Sequence, residues 1–257
     1  SSGLFGLHAC FTLSDDTLSL VKDALDDVPI HIHVAESIED QEHSLAQYNK
    51  RVINRLNDFD LIQKNSIITH GLYLDEDELN IIHNKQAVIA LNVTSNMNNA
   101  VGLPNYMKMK EHNIKVIIGN DGINQKMTSE YQNLYFSMHH KSTSPVSFSF
   151  DDLITIINNT YEYASEQLKI KLGKIKTGYK ADFLLLPYDE PTPLNKDNIF
   201  GHLFFGLFNN FRPKDVFVSG NYILQNYNMK DSLQSEFKKA KESAKLLWDK
   251  IEKEGTV

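Results

Sequence analysis

Short runs of β-branched and apolar residues alternate along the chain with longer stretches whose apolar positions recur at helical spacing. Leu4-Phe5-Gly6-Leu7-His8-Ala9-Cys10-Phe11 reads as a first strand, and Ser14-Asp15-Asp16 as the start of a helix that runs from Thr17 to Asp26 and buries Leu18, Val21, Ala24 and Leu25. Pro29-Ile30-His31-Ile32-His33-Val34-Ala35-Glu36 is a second strand. Its side-chain period of two puts His31 and His33 on one side, with Glu36 just past the end. Ser37 to Asn57 reads as one long helix with Leu45, Tyr48, Val52, Ile53 and Leu56 on a stripe.

The same rhythm continues. Ser66-Ile67-Ile68-Thr69-His70-Gly71 is a strand ending in histidine, followed by a helix led by Asp75 to Glu78 and running to about His83. Ala87 to Asn92 is a strand followed by a helix from Pro104 to Glu111. Lys115 to Gly122 is a strand ending in Asp121, followed by a helix from about Ser129 to His140. Five strands thus alternate with helices at spacings of roughly 25 to 40 residues, the pattern of βα units on a parallel sheet. A doubly wound sheet and a (β/α)8 barrel both fit this α/β class, and no glycine-rich phosphate loop follows any strand.

The last third differs. Phe150 to Lys169 is an amphipathic helix, Leu172 to Leu186 a turn feeding a strand, and Asp215 to Gln225 a hairpin turning at Gly220-Asn221. These strands suggest a small β appendage. Met229 to Glu254 closes the pattern as a charged helix whose apolar face (Phe237, Ala240, Ala244, Leu247, Trp248, Ile251) needs a partner surface, a candidate contact in a homo-oligomer. The expected divisions are 1–170, 171–228 and 229–257.

The 257 residues, 41% of them hydrophobic, suffice for a sizeable core, and a formal charge of -7 argues against nucleic-acid or anionic-membrane partners. No apolar run approaches the ~20 residues that span a bilayer, and no signal peptide is read at the start. A soluble cytoplasmic protein is the expectation. Cys10 is the single cysteine, which excludes an internal disulfide framework and fits a structural thiol.

Polar and ionisable residues cluster at the strand ends: His8, His33 with Glu36, His70, Asn92 with Ser95 and Asn96, and Asp121. In a barrel these ends converge on one mouth. His33, His70 and Asp121 are each competent to ligate a metal, and their imidazole and carboxylate donors suit Zn and also Fe or Mn. A bound metal lowers the pKa of its water from ~15.7 to ~7, giving a hydroxide nucleophile, and Glu36 and Asp121 are placed to move protons.

The order of these motifs resembles the amidohydrolase superfamily, in particular its deaminase and chlorohydrolase branch, over nearly the whole chain. Gly6-Leu7-His8-Ala9 resembles the fourth-strand motif, His31 to Glu36 the fifth-strand H-x-x-E motif, Thr69-His70-Gly71 the sixth-strand ligand, Asn92 to Gly102 the seventh-strand loop, and Gly119-Asn120-Asp121-Gly122 the eighth-strand aspartate. The resemblance implies strands 4–8 of a (β/α)8 TIM-type barrel, part of a small β-sandwich and a C-terminal helix. It implies one divalent metal, zinc foremost, on His33, His70 and Asp121; a proton shuttle in Glu36; catalytic help from His70 and Asp121; and substrate contacts from His8 and Asn96. The implied reaction is hydrolysis of a C–N bond, the deamination of a small nitrogen heterocycle by a metal-bound hydroxide. A non-catalytic scaffold or subunit of the same fold is the rival reading.

Relatives also carry an H-x-H pair on the first barrel strand, which has no counterpart here, and Leu91-Asn92-Val93 stands where many have a histidine and a proline. The chain is therefore expected to be a fragment with little or no hydrolase activity, with His31 packed inside and two sheet edges and much of the inner apolar layer open to water.

Overall fold

The computed structural model describes residues 3–25 and 28–255. The chain divides into two compact units, Ser1–Ile170 with Lys196–Asn209, and Lys171–Asn195 with Asn210–Val257.

The first unit is built on a parallel sheet of β1 (Phe5–Ala9), β2 (Ile30–Val34), β3 (Ile67–His70), β4 (Val88–Leu91) and β5 (Lys115–Ile118), paired strictly in sequence order. A doubly wound sheet would reverse its order at a switch point; this one winds in a single direction. Its helices are α1 (Asp15–Ala24), α2 (Ile38–Tyr48), α3 (Val52–Asp58), α4 (Glu76–Asn84), α5 (Val93–Asn98), α6 (Tyr106–Glu111), α7 (Met127–Ser142) and α8 (Phe150–Leu168). The short α9 (Ile199–Gly201) runs on through a π-type turn over His202–Leu207 that seats Phe204 against Tyr135 and Phe150. The first helix is described to Ala24; Asp26, to which it was expected to reach, lies outside the described residues.

Strand alternation divides the apolar side chains between two faces. Ile30, Ile32, Val34, Ile68, Ile89, Leu91, Val116 and Ile118 pack with Leu18, Val52, Ile53, Leu56, Leu79, Ile82 and Met109 from the helices in the main core. Ile67, Val88, Ala90 and Ile117 form a smaller cluster on the opposite face with Tyr163 of α8. Cys10 is wholly buried in the main core, and burial pushes its thiol up to about 12, as suits a structural residue.

Three expectations are corrected. Ser37 to Asn57 is not one helix: α2 stops at Asn49, which takes a left-handed φ of 52°, and α3 starts after Arg51. The break is held by side chains, with Val52 N donating to Gln41 Oε1 at 3.1 Å and Ile53 N to Glu78 Oε1 at 3.1 Å. His31 is exposed rather than packed inside: it pairs in register with Ile67, on the face of the smaller cluster, and its Nε2 lies 3.0 Å from Thr69 Oγ1. Nor do both sheet edges stand open. Along the outer edge of β5, Ile118 N donates to Thr160 Oγ1 at 3.1 Å and Asn159 Nδ2 to Val116 O at 3.1 Å, so α8 covers that edge as well as the cluster beside it.

The second unit holds an antiparallel sheet of β6 (Phe183–Leu185), β7 (Asp215–Val218), β8 (Asn221–Gln225) and β9 (Asn228–Met229), with the β7–β8 turn at Ser219 and Gly220, both at positive φ as a tight primed turn requires. α10 (Asp231–Glu254) follows and buries none of its described residues.

Glu78, with no exposed surface, ties α2, α3 and α4 together. Its Oε1 also accepts from Gln41 Nε2 at 3.0 Å, and its Oε2 from Arg51 Nε at 2.9 Å and Asp75 N at 3.1 Å. Substituting Glu78→Ala strands the Ile53 and Asp75 amides, while Arg51 keeps Asp75 Oδ2 at 2.7 Å and Gln41 Nε2 keeps Tyr73 O at 3.2 Å, and is expected to lower unfolding stability by about 1–3 kcal/mol, read as a lower urea midpoint with an unchanged slope. An unchanged midpoint would contradict this role.

Candidate functional site

The side chains picked out by sequence meet at the C-terminal ends of the parallel strands, and left-handed backbone turns aim them. Ala35, His70 and Asp121 carry positive φ values of 48°, 71° and 51°. For residues other than glycine this region is sparsely populated, and its strain of about 1–3 kcal/mol per residue persists only where the surroundings impose it. At Ala35 the imposing group is Asp40, a buried carboxylate in the first turn of α2 whose Oδ2 accepts from Ala35 N at 2.6 Å. At Gly71 the backbone N–H reaches back to Val34 O at 2.9 Å, locking the corner after His70 to the end of β2. Gly119 is demanded by its neighbour: a Cβ there would lie 2.5 Å from Asn92 Oδ1.

His70 is the centre of the group, its side chain 1% exposed. Its Nε2 is buried, makes no hydrogen bond, and faces Glu36 Oε2 at 3.6 Å and Asp121 Oδ2 at 4.0 Å. The His33 ring lies 5.5 Å from that of His70, centroid to centroid, and the His8 ring 5.6 Å from that of His33. Thus Glu36, His33, His70 and Asp121 come together, with His8 at their margin, exposed and beside Thr12 Oγ1 at 3.2 Å.

The short helix α5 braces three of these groups at once. Ser95 Oγ donates to Asp121 Oδ2 at 2.8 Å, Asn96 Nδ2 stands 2.9 Å from His70 Nδ1, and Asn99 Nδ2 donates to Glu36 Oε1 at 3.0 Å. Expected as a substrate contact, Asn96 is instead fully buried behind His70. The stretch around it was expected as a loop, and the supporting parts of Asp40 and Asn99 went unread. Asp40 resembles an ordinary acidic residue in a first helical turn, and nothing local marks Glu36, 63 positions away, as the partner of Asn99.

Burial is the main reason His70 lies below the ordinary imidazole range, with His33 adding to it and the carboxylates of Glu36 and Asp121 opposing. For Asp121 burial works upward, but the Ser95 hydroxyl, the Gly122 amide and the two histidines outweigh it and hold the carboxyl below its usual range. Asp40 is raised, chiefly by burial.

Among the described residues no three or more histidine, cysteine, aspartate or glutamate side chains form a group that could hold a metal ion as they stand. The donors nonetheless suit a divalent cation. A buried imidazole nitrogen without a hydrogen bond faces two carboxylate oxygens, and a second imidazole stands beside it, which is the mixed nitrogen and oxygen set that Zn, Fe and Mn accept.

A sheet wound in one direction with such a constellation at its strand ends describes a class of hydrolase scaffold, and the comparisons specify it. Residues 3–223 match the model of the amidohydrolase family, and the chain belongs to that family. It is 27% identical over 237 residues to a 5'-deoxyadenosine deaminase of Methanococcus maripaludis, covering 89% of this chain and 54% of the relative. It is also 27% identical over 256 residues to a 5-methylthioadenosine/S-adenosylhomocysteine deaminase of Syntrophomonas wolfei, covering 94% and 58%. The chain spans about half the length of the curated relatives it matches. Among solved structures, an adenosine deaminase from Xanthomonas campestris with bound zinc superposes with a TM-score of 0.76 at 20% identity, over 95% of this chain and 57% of that one, a likeness of fold. Among the described residues no helix is long and apolar enough to cross a membrane.

Substituting Ser95→Ala removes one donor from Asp121 and is expected to raise the pKa of that carboxyl, so that the side chain protonates at a higher pH as solutions are acidified. Carbon-13 titration of the Asp121 carboxyl checks this, and an unmoved midpoint would exclude Ser95 as a cause.

Proposed function

We propose that this chain carries the proton-transfer residues and part of the ligand set of a hydrolytic deaminase acting on an amino-substituted nitrogen heterocycle, with one divalent metal, zinc foremost. The observation that carries this reading is the buried Nε2 of His70 facing Glu36 and Asp121. The parallel strands then correspond to strands 4–8 of a (β/α)8 barrel, and the antiparallel sheet to part of a β-sandwich. The consecutive strand order supports the first assignment. The relatives, deaminases of adenosine derivatives, favour a purine-like ring among heterocycles.

His33, His70 and Asp121 are the residues that would hold the metal. When bound, it would supply the Lewis acidity that makes water nucleophilic near neutral pH. Glu36 does the proton work. Its side chain is 30% exposed, against 1% for His70, so it can meet a substrate while Asn99 restrains its other oxygen. In this scheme Glu36 accepts a proton from the attacking water at Oε2 and delivers it to the departing amine, which leaves as ammonia. Asp121, kept ionised by its hydrogen bonds, stands ready on the other side as a second acceptor. His8, exposed beside His33, is placed to orient the ring that is attacked. The lack, among the described residues, of a side-chain group that could hold a metal ion as it stands favours, as the second reading, a scaffold that keeps the fold without the chemistry.

Substituting Glu36→Gln separates the two. The expected outcome is zinc content equal to that of the parent by elemental analysis, with ammonia release from aminated purines and pyrimidines reduced about 10²–10⁴-fold. Metal-free parent protein, or undiminished turnover in the variant, would overturn the catalytic reading.

A further inference from the structure

Asn96, like His70, has an enclosed side chain that is only half used. Its residue has no exposed surface, its Nδ2 meets His70 Nδ1 at 2.9 Å, and its Oδ1 is buried with no hydrogen-bond partner. An unpartnered amide oxygen in a protein interior keeps its desolvation penalty with no hydrogen bond to offset it. Such a cost, paired with a direct contact to the central histidine, asks for a role.

A neutral imidazole has one nitrogen that donates and one that accepts, and each hydrogen bond to one nitrogen dictates the state of the other. With Nδ2 of Asn96 donating to Nδ1, the ring proton sits on Nε2, where the carboxylate oxygens of Glu36 and Asp121, both acceptors, face it. That arrangement is self-consistent for the side chains alone, but it leaves Nε2 with no lone pair for a cation. A half-turn of the carboxamide would bring the idle Oδ1 onto Nδ1. The ring proton would then belong on Nδ1, and Nε2 would present its lone pair to the carboxylate side. A carboxamide is the side chain that serves both settings, since a carboxylate offers only acceptors and an alkyl group neither.

We propose that Asn96 is a positioning residue that selects which nitrogen of His70 carries the proton, and that turning its carboxamide releases Nε2 for a divalent cation. The inference deepens the function proposed above and rests on it only for the cation. Ring nitrogens that ligate metals act through an opposite N–H held by a fixed partner, and loss of such a partner typically weakens metal binding 10–100-fold.

Two measurements on the full chain test this. Nitrogen-15 spectra of the His70 ring in chelator-treated protein at pH 8.5 are expected to show Nδ1 bare in the parent and protonated in Asn96→Asp, whose acceptor-only side chain permits one setting. Nδ1 protonated in the parent, or bare in the variant, would overturn the proposal, and a purely structural role for Asn96 would not move this signature. Zinc affinity by competition with a chromophoric chelator is expected to fall about 10–100-fold in Asn96→Leu and to be retained in Asn96→Asp. Parent-like affinity in a folded Asn96→Leu protein would also count against it. Should the leucine variant fail to fold, as its thermal melt would reveal, the aspartate variant and the parent spectra decide alone. Should the parent bind no zinc, the deaminase reading falls while the ring spectra still judge Asn96.

Discussion

The arrangement of the first unit turns on one buried imidazole nitrogen held between two carboxylates. His70 Nε2 can occupy that position because β3 ends in a left-handed turn at His70 itself, and because the next residue, Gly71, returns its amide to the end of β2. Glu36 and Asp121 approach from neighbouring corners that are likewise left-handed at or beside the functional residue. Strain at three strand ends is thus the means by which a sheet of ordinary β-branched residues projects two imidazoles and two carboxylates toward one point. The main core, with its faultless alternation, supplies the rigidity that keeps those corners from relaxing.

The strands and most helices were legible because their signals are local: runs of isoleucine and valine of the right length, serine or aspartate caps, and helical apolar spacing. α8 matches its expected span within a residue because Ser149 and Asp152 form a reciprocal cap at its start. The break between α2 and α3 was not legible. Its apolar stripe continues across Asn49, and of the groups that hold the break Gln41 lies 11 residues upstream and Glu78 25 residues downstream of the amide it accepts from. His31 was misjudged for a similar reason, since periodicity assigns it a face but says nothing of what covers that face.

At the site the division is sharper. His33, Glu36, His70 and Asp121 were readable because each sits at a strand end in a recognisable motif, and the structure draws them together. Asp40, Ser95, Asn96 and Asn99 act by hydrogen bonds that span from 5 to 63 positions in the chain. The family resemblance gave Asn96 a substrate contact, whereas its burial puts it behind the histidine. Polar side chains that support a reactive group look, in a sequence, like polar side chains that contact a ligand.

The cover that α8 provides for β5 has a kinetic corollary. Thr160 and Asn159 occupy one donor and one acceptor that a sixth parallel strand would need, while Tyr163 lies on the adjoining apolar cluster and anchors itself to Asn65 O at 2.7 Å. A strand arriving at that edge therefore competes with a helix already seated there. Its docking waits on the helix letting go, so the rate would level off as the concentration of the incoming segment rises, at a ceiling set by this chain alone.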